Sequence, residues 1–503
     1  MIGLMDLADR AWRRSVKVSG NRERREERHL VFSSVEFLFF FLPLSFAAYY
    51  LLPNRFRNAV LLLVSLVFYS WGGGTFLLVL FVSIAVDYCL GFVADFGHRT
   101  QKRLWRRWAV GSSVAVNIGL LAYFKYANFF VAEFNAATER IGLSEIAWTS
   151  VALPIGISFF TFQSMSYTID VARGTAKHLR NPIDFAMYVA LFPQLIAGPI
   201  VRFHELSQQI VGRFTTRDDL ALGAIRFAHG LVKKVVVADG VAVIADAAFA
   251  ARPGHLSAAA AWAGLLAYTI QIYFDFSGYS DMAIGLGKMF GFTFPENFNR
   301  PYSALSITDF WRRWHITLSN WFRDYLYLPL GGSRRGTRRT YLNLIFVFLV
   351  TGLWHGANWT FVAWGAYHGV LLILERLTGQ RALDERQTLT AVRRVYTFGA
   401  AMGGWVLFRS ASLPDALGYF KALVPRGGFG DLDILAPSSL SLFVLFVSLA
   451  VVLAPREFSG ARLVGGIGKP SGAARLALMG VALPYAAALI VAGSFSPFLY
   501  FQF

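Results

Sequence analysis

Long apolar runs alternate with short polar links along most of the 503-residue chain. A helix needs about 20 predominantly apolar residues to cross the hydrocarbon core of a bilayer, whereas a buried strand rarely exceeds about eight. The clearest runs predict membrane spans at 35–52, 59–71, 76–93, 109–131, 395–408, 440–453 and 476–491. Together with the less regular runs between them, the pattern predicts an all-α polytopic membrane protein with about ten to twelve transmembrane helices.

Between residues 153 and 292 the apolar sequence contains residues that a plain span avoids. Pro154 and Gly156 break the first of these regions, and Lys233 and Lys234 lie in the middle of another. Irregular backbone at membrane depth survives only where protein or a water-filled cavity covers it. These regions therefore predict re-entrant or interfacial helices in addition to the spans.

Two acids, Asp275 and Asp281, lie within the apolar run 256–292. A carboxylate pair for acid–base chemistry is one interpretation. At six residues apart on one helix, however, the two side chains face different sides. Hydrogen bonds to neighbouring helices are therefore the favoured role, because ionisable groups inside a membrane need partners.

The net charge of +18 changes this picture only through its distribution. Basic residues cluster in the links, which is typical of loops held on the cytoplasmic side of a membrane. Counting alternate sides places Arg55 and the link 94–108 in the cytoplasm. Nucleic-acid binding is disfavoured, because no soluble domain accompanies a basic patch.

Residues 1–29 form a basic N-terminal tail that lacks the apolar core of a signal peptide. Its seven arginines fall on the side of the membrane opposite to the one that the later links favour. We therefore expect these residues to be a dispensable tail or an upstream over-read, and the membrane domain to cover residues 30–503.

The stretch 297–368 concentrates aromatic residues, arginines and histidines within what should otherwise be membrane. Two histidines directly follow a tryptophan, in the pairs Trp314-His315 and Trp354-His355. An ionisable group at membrane depth is costly, so it marks a functional site by default. Both pairs are therefore candidates for the active site.

His315 lies in the segment 309–325, whose pattern predicts one amphipathic helix. At helical spacing, the residues that share the face of this histidine are Trp311, Arg312, Leu318, Ser319 and Phe322. Arg312, Arg313 and Arg323 would form an anion site beside the imidazole. An interfacial helix with an incidental histidine gives the same pattern, so both interpretations stay open.

His355 is placed differently, because residues 341–354 could form about 21 Å of helix and carry it about two-thirds through a ~30 Å core. Gly352 and Gly356 flank it, and Asn358 can cap a new helix. The arrangement predicts a broken helix that presents an imidazole at depth, where desolvation favours the neutral form. A neutral histidine is the usual general base for a hydroxyl proton, and a structural, hydrogen-bonded histidine is the alternative.

Neither a metal nor a bound cofactor is expected at these histidines. His315, His355 and His368 contain no pair at the three- or four-residue spacing of a helical metal site, and no carboxylate is adjacent. His368 is expected to be structural.

A set of motifs identifies a family. They are Val31-Phe-Ser-Ser34, Leu153-Pro-Ile-Gly-Ile-Ser-Phe-Phe-Thr-Phe-Gln-Ser164, Ile169-Asp-Val171, Gln271-Ile-Tyr-Phe-Asp-Phe-Ser-Gly-Tyr-Ser-Asp281, Asn297-Phe-Asn-Arg-Pro-Tyr302, Phe310-Trp-Arg-Arg-Trp-His315, Tyr327-Leu-Pro-Leu-Gly-Gly332 and Gly352-Leu-Trp-His-Gly356. In these motifs the chain, from about residue 31 to its end, resembles the membrane-bound O-acyltransferase (MBOAT) superfamily, and within it the bacterial alginate O-acetyltransferases.

The resemblance implies a multi-helix disc with a tunnel through the membrane. The active-site histidine of the family falls on His355, and its second, supporting position falls on His315. The resemblance further implies that an acetyl group from a cytoplasmic donor, expected to be acetyl-CoA, reaches the outer side of the bacterial inner membrane. There, periplasmic acetyltransferase or acetyl-carrier proteins would place it on sugar hydroxyls of an exported polysaccharide. Contacts to donor or substrate are expected from Trp311, Arg312, Arg313, Trp314, Ser319, Trp354, Asn358, Arg334 and Arg335.

The basic turn between the two histidine segments is a candidate to gather the donor, in one group with Arg312 and Arg313. Its arginines are Arg334, Arg335, Arg338 and Arg339, and it contains no acid. The positive-inside rule places the turn in the cytoplasm, and arginine offers bidentate donors to the phosphates of coenzyme A. Fixing topology or contacting anionic membrane lipid is the alternative role.

A different class of function also fits part of the pattern. Transporters and export components place broken helices and buried charges at the membrane midplane without doing chemistry. Such proteins often contain an internal repeat, and none of fixed period is visible here. The enzyme interpretation is therefore preferred over a non-catalytic component of polysaccharide secretion.

Overall fold

A computed structural model of the chain describes residues 31–379, 390–425, 428–454, 478–493 and 498–499. This part consists of helices joined by turns and irregular links, and it contains no strand. The predicted all-α class is therefore confirmed for the described residues. The predicted basic tail at 1–29 lies outside them.

The helices are numbered here in chain order. The first ten are α1 Phe37–Leu51, α2 Arg57–Gly73, α3 Leu77–Arg99, α4 Arg103–Glu139, α5 Ile157–Arg173, α6 Pro182–Ala190, α7 Phe192–Leu195, α8 Phe203–Val211, α9 Arg217–Val232 and α10 Asp239–Ala250. The others are α11 Ala258–Met289, α12 Ile307–Trp311, α13 Ile316–Phe322, α14 Thr337–His355, α15 Trp359–Leu377, α16 Thr390–Arg409, α17 Leu413–Ala422, α18 Ser439–Leu453 and α19 Leu483–Val491.

Two of the described helices, α3 and α4, are long and apolar enough to cross a bilayer. α4 extends over 37 residues, beyond the predicted span 109–131, because it continues through an amphipathic first turn and a π-helical turn at Ala122–Tyr126. Shorter apolar helices occur at α1, α18 and Met479–Val491. Their outward side chains include Leu51 and Phe446, which are 84% and 72% exposed. An apolar surface of this kind is the one expected to face lipid.

α11 is the central helix, with 32 residues that are buried over most of its length. Asp275 pairs with Lys234 at 2.8 Å. Asp281 pairs with Lys233 at 2.7 Å and with Arg226 at 2.6 Å. The interpretation that these two acids bind neighbouring elements is therefore confirmed. Because an unpaired buried charge costs several kcal/mol, the pairs fix how α11 sits against α9 and the turn that follows α9.

α14 and α15 form an antiparallel hairpin whose backbones touch at glycines. A Cβ atom at Gly352 would lie 2.2 Å from the carbonyl oxygen of Phe361, and one at Gly365 would lie 2.3 Å from that of Phe348. These distances exclude any side chain, so the close approach depends on glycine at both positions. α14 ends at His355 and α15 begins four residues later, which confirms the predicted broken helix.

We expect Gly352→Ala to lower the free energy of unfolding by about 1–3 kcal/mol, because the new methyl group overlaps a carbonyl group that cannot move away. The matched control is Gly111→Ala in α4, where a Cβ atom meets nothing within 4 Å. In a helix that change should be neutral or stabilising by up to about 1 kcal/mol. Thermal unfolding of both variants in detergent tests this, and equal melting temperatures would contradict the close approach.

Candidate active site

His355 is the last residue of α14 and is only 5% exposed. Between ring centroids, the imidazole lies 4.8 Å from Trp354, 5.0 Å from Trp364 and 5.1 Å from Phe408, all in edge-to-face geometry. The break in the helix thus places an imidazole inside an aromatic cage, away from bulk water.

The predicted continuous helix over 309–325 is wrong. The structure has two short helices, α12 and α13, with His315 at the break between them. His315 has φ 43° and ψ 54°, a left-handed conformation that is costly for a residue other than glycine. The break occurs because this backbone pairs with an upstream segment: the amide of Ile316 donates to the carbonyl of Asn297 at 2.9 Å.

Because of this break, His315 does not share a helical face with the residues predicted beside it. Its ring lies 4.7 Å from Phe276 and 6.0 Å from Trp354. Trp354 also flanks His355, so the structure brings the two candidate histidines against the same indole.

Asn297 holds the imidazole of His315 in one orientation. The side-chain oxygen of Asn297 lies 3.1 Å from Nδ1 of His315 and accepts hydrogen bonds from the amide and hydroxyl of Thr317, at 3.3 and 2.9 Å. The side-chain nitrogen donates to Ser280. Because an amide N–H of Thr317 can only donate, the Asn297 atom that faces His315 is the oxygen, and Nδ1 carries the proton. The lone pair of His315 therefore lies on Nε2.

A cavity of about 410 Å³ lies between α13, α14 and α15. Its lining includes Trp311, Arg312, Ser319, Arg323, Thr351 and Arg376. Thr351 precedes His355 by about one helical turn, so the inner part of the cavity ends close to the aromatic cage. The side chains of Arg312 and Arg376 make no hydrogen bond or ion pair with another described residue. Two guanidinium groups without partners in one cavity favour an anionic ligand.

A second, smaller cavity of about 110 Å³ contains His355 itself. Lys125, Pro154, Ser158 and Trp354 also line it. His355 and Trp354 line this second cavity but not the first one, which is called the arginine cavity below.

A family model for membrane-bound O-acyltransferases matches residues 75–411, a range that contains both histidines and both cavities. The chain belongs to the membrane-bound O-acyltransferase family. It is therefore a membrane protein and an O-acyltransferase, and the alternative of a transporter without chemistry is set aside.

Several relatives of this MBOAT protein are named as O-acetylases or O-acetyltransferases. It is 45% identical to the probable alginate O-acetylase AlgI of Azotobacter vinelandii, over 94% of this chain and 100% of that protein. It is 49% identical to the probable alginate O-acetylase AlgI of Pseudomonas aeruginosa, over 79% of this chain and 75% of that protein. It is 40% identical to the peptidoglycan O-acetyltransferase of Helicobacter pylori, over 79% and 80% of the two chains. The resemblance expected from the motifs is thus confirmed.

The structure places three other predicted site residues in structural contacts. Arg313 pairs with Asp309 at 2.8 Å and does not line the arginine cavity. Trp314 packs against Trp405 with 4.7 Å between ring centroids. Asn358 is the N-cap of α15, as expected from the sequence. None of these side chains lines either cavity beside His355.

Arg334 and Arg335 line a separate cavity of about 270 Å³ together with Leu328, Pro329 and Gly331. This cavity lies in the turn before α14, so the two arginines are not grouped with Arg312 as predicted. Among the described residues, no group of three or more His, Cys, Asp and Glu side chains is arranged to hold a metal ion.

Arg376 was missed from the sequence because a basic residue at the end of an apolar helix is also what helix-dipole and topology effects favour. Lys125 was missed as well, since only the fold brings it from α4 to the end of α14. Asn297 stands in a recognised motif, but its contact with His315 depends on the irregular backbone at the break.

We expect Asn297→Leu to reduce acyl transfer through His315, because it removes the acceptor that fixes the imidazole. A double-mutant cycle with His315→Gln should give a coupling energy of about 1–3 kcal/mol from kcat/KM. Ser280→Ala, which removes the other side-chain contact of Asn297, is the control and should be additive with His315→Gln. Additive effects for Asn297→Leu would show that it acts only on the fold.

Proposed function

We propose that this MBOAT protein takes an acetyl group from acetyl-CoA at the cytoplasmic side of the bacterial inner membrane and passes it outward for O-acetylation of an exported polysaccharide. The observation that carries this proposal is the arginine cavity. Coenzyme A has phosphate groups at one end and the thioester at the other. The unpartnered Arg312 and Arg376 suit the phosphates, and Thr351 brings the inner end of the cavity within about one turn of His355.

In the proposed reaction, Nε2 or Nδ1 of His355 removes the proton from an acceptor hydroxyl. The oxygen bonds to the acyl carbon, and the electron pair of the carbonyl moves to its oxygen. When the tetrahedral intermediate collapses, the carbon–sulfur bond breaks and the thiolate takes the proton from the imidazolium. His315, with its lone pair on Nε2 and its ring against Trp354, is proposed as the supporting residue for this step.

The distribution of basic residues supports the cytoplasmic assignment of the cavity mouth. The end of α3 packs on the end of α5, where Gly174 lies against His98. Arg173 at that end of α5 donates to the carbonyl of Asp324 at 3.2 Å, next to the turn that leads into α14. These contacts support placing the basic links 99–107 and 334–339 at one end of the helices, which the positive-inside rule would assign to the cytoplasm.

The names of the relatives support the choice of acceptor. Two are named as probable alginate O-acetylases and one as a peptidoglycan O-acetyltransferase. All three names therefore refer to the O-acetylation of a polymer. We propose an exported polysaccharide such as alginate, with periplasmic acetyltransferase or acetyl-carrier proteins as partners. We further propose a multi-pass protein of about ten to twelve transmembrane helices, the number suggested by the apolar runs.

We expect His355→Ala to lower acetyl transfer by about 10²- to 10⁴-fold, because the reaction loses its general base. The assay is release of coenzyme A and transfer of label from radiolabelled acetyl-CoA by purified protein with a periplasmic partner. His315→Ala should impair the reaction less. Wild-type rates in a folded His355→Ala variant would refute the assignment of the base.

We expect Arg312→Gln and Arg376→Gln each to raise the KM for acetyl-CoA by about tenfold, because each removes a charge-assisted contact to phosphate. The matched control is Arg313→Gln, which neutralises a neighbouring arginine that is already paired with Asp309. Its KM should stay within about twofold of wild type. If the KM is unchanged in all three variants, with kcat measurable, the donor does not bind in this cavity.

A further inference from the structure

A lysine and a tyrosine from α4 cap the helix end that carries His355. Lys125 Nζ donates to the carbonyl oxygens of Trp354 and His355, at 2.5 and 2.9 Å. The hydroxyl of Tyr126 donates to the carbonyl of Leu353. Three consecutive carbonyl groups at the end of α14 are thus satisfied by two adjacent residues of one helix.

The π-helical turn at Ala122–Tyr126 sets up this contact. Such turns interrupt an otherwise regular helix and occur frequently at functional sites. Here the turn presents both Lys125 and Tyr126 to α14, and it falls in the middle of a 37-residue apolar helix. The location at membrane depth makes an ammonium group costly unless its surroundings favour it.

Among the described residues, the surroundings of Lys125 are electronegative without containing a carboxylate. The last carbonyls of a helix have no partner within the helix and carry a partial negative charge, so a cation is stabilised there. The third nearby acceptor is Ser158 Oγ, at the long distance of 3.5 Å. Two ammonium hydrogens are therefore well engaged, and the third is held loosely at the wall of the cavity that contains His355.

We propose that Lys125 is a positioning residue for His355 and that its ammonium group stabilises the negative charge that develops in this cavity during acyl transfer. This inference rests on the proposed function. Among the described residues that line the cavity, Lys125 is the only lysine or arginine. When the acceptor oxygen bonds to the acyl carbon and the carbonyl electrons move to oxygen, the resulting oxyanion forms beside this charge. It disappears when the carbon–sulfur bond breaks.

Capping and charge can be separated because the chain offers a neutral cap beside the charged one. Lys125→Arg keeps the charge and the donors, and Lys125→Gln keeps an N–H donor without the charge. Tyr126→Phe removes a cap from the same helix end and leaves the charge in place. An electrostatic role predicts that charge, rather than the number of caps, decides the rate.

The experiment measures kcat and KM for acetyl-CoA in detergent-purified variants whose thermal unfolding shows a folded protein. We expect Lys125→Gln to lower kcat by about 10²-fold, with KM within about twofold, because the lost group acts on the transition state. Lys125→Arg should recover most of the rate, and Tyr126→Phe should stay within about threefold of wild type. The inference is overturned if Lys125→Gln is as active as Lys125→Arg, or if Tyr126→Phe loses as much as Lys125→Gln.

Failure of the proposed function has a different signature. If acetyl-CoA is not the donor, wild type shows no turnover with it, and the same four proteins are compared with the acyl thioester that does support turnover. If His355 is not the base, His355→Ala keeps its activity while the Lys125 variants still report on the charge. Both results differ from the one that would overturn the inference, in which Lys125→Gln and Lys125→Arg have the same kcat.

Discussion

The active site depends on one constraint: a helix that ends inside the protein leaves carbonyl groups that need hydrogen-bond donors from elsewhere in the chain. At the end of α14 the carbonyl groups of Leu353, Trp354 and His355 have no helical partners, and unsatisfied backbone at membrane depth costs several kcal/mol for each group. Lys125 and Tyr126 supply the missing donors. With these bonds made, the helix can stop where the chemistry requires it, instead of continuing to the far surface.

The same end is held from the other side by close packing. Glycines let α14 and α15 touch backbone to backbone, and Asn358 begins α15 as soon as α14 has ended. His355 is therefore positioned through the backbone at the end of its helix. His315 is held in a similar way, because the helix is interrupted there and Asn297 supplies hydrogen bonds to the imidazole and to the backbone of the next residue. Both histidines thus owe their positions to irregular backbone that neighbouring segments complete.

Much of this could be predicted from the sequence, and the failures share one cause. Gly352, Gly356 and Asn358 are local signals, so the break at His355 was predictable from α14 alone. The positions of Asp275 and Asp281 on one long apolar helix likewise predicted partners on its neighbours. His315 was placed within a continuous helix because local propensity favours one there. The contact that breaks that helix comes from Asn297, 18 residues upstream, and no periodicity reports it.

Distinguishing structural charges from charges kept for a ligand also required the fold. Arg312 and Arg313 are adjacent and chemically identical, so the same role was predicted for both. In the folded chain Arg313 has Asp309 one turn before it, whereas Arg312 faces a cavity without an acid among the described residues. A paired guanidinium already interacts with a carboxylate of the protein, so an anionic ligand must compete with that carboxylate to bind it. An unpartnered one in a cavity retains that attraction, so pairing rather than the number of arginines indicates where a phosphate would bind.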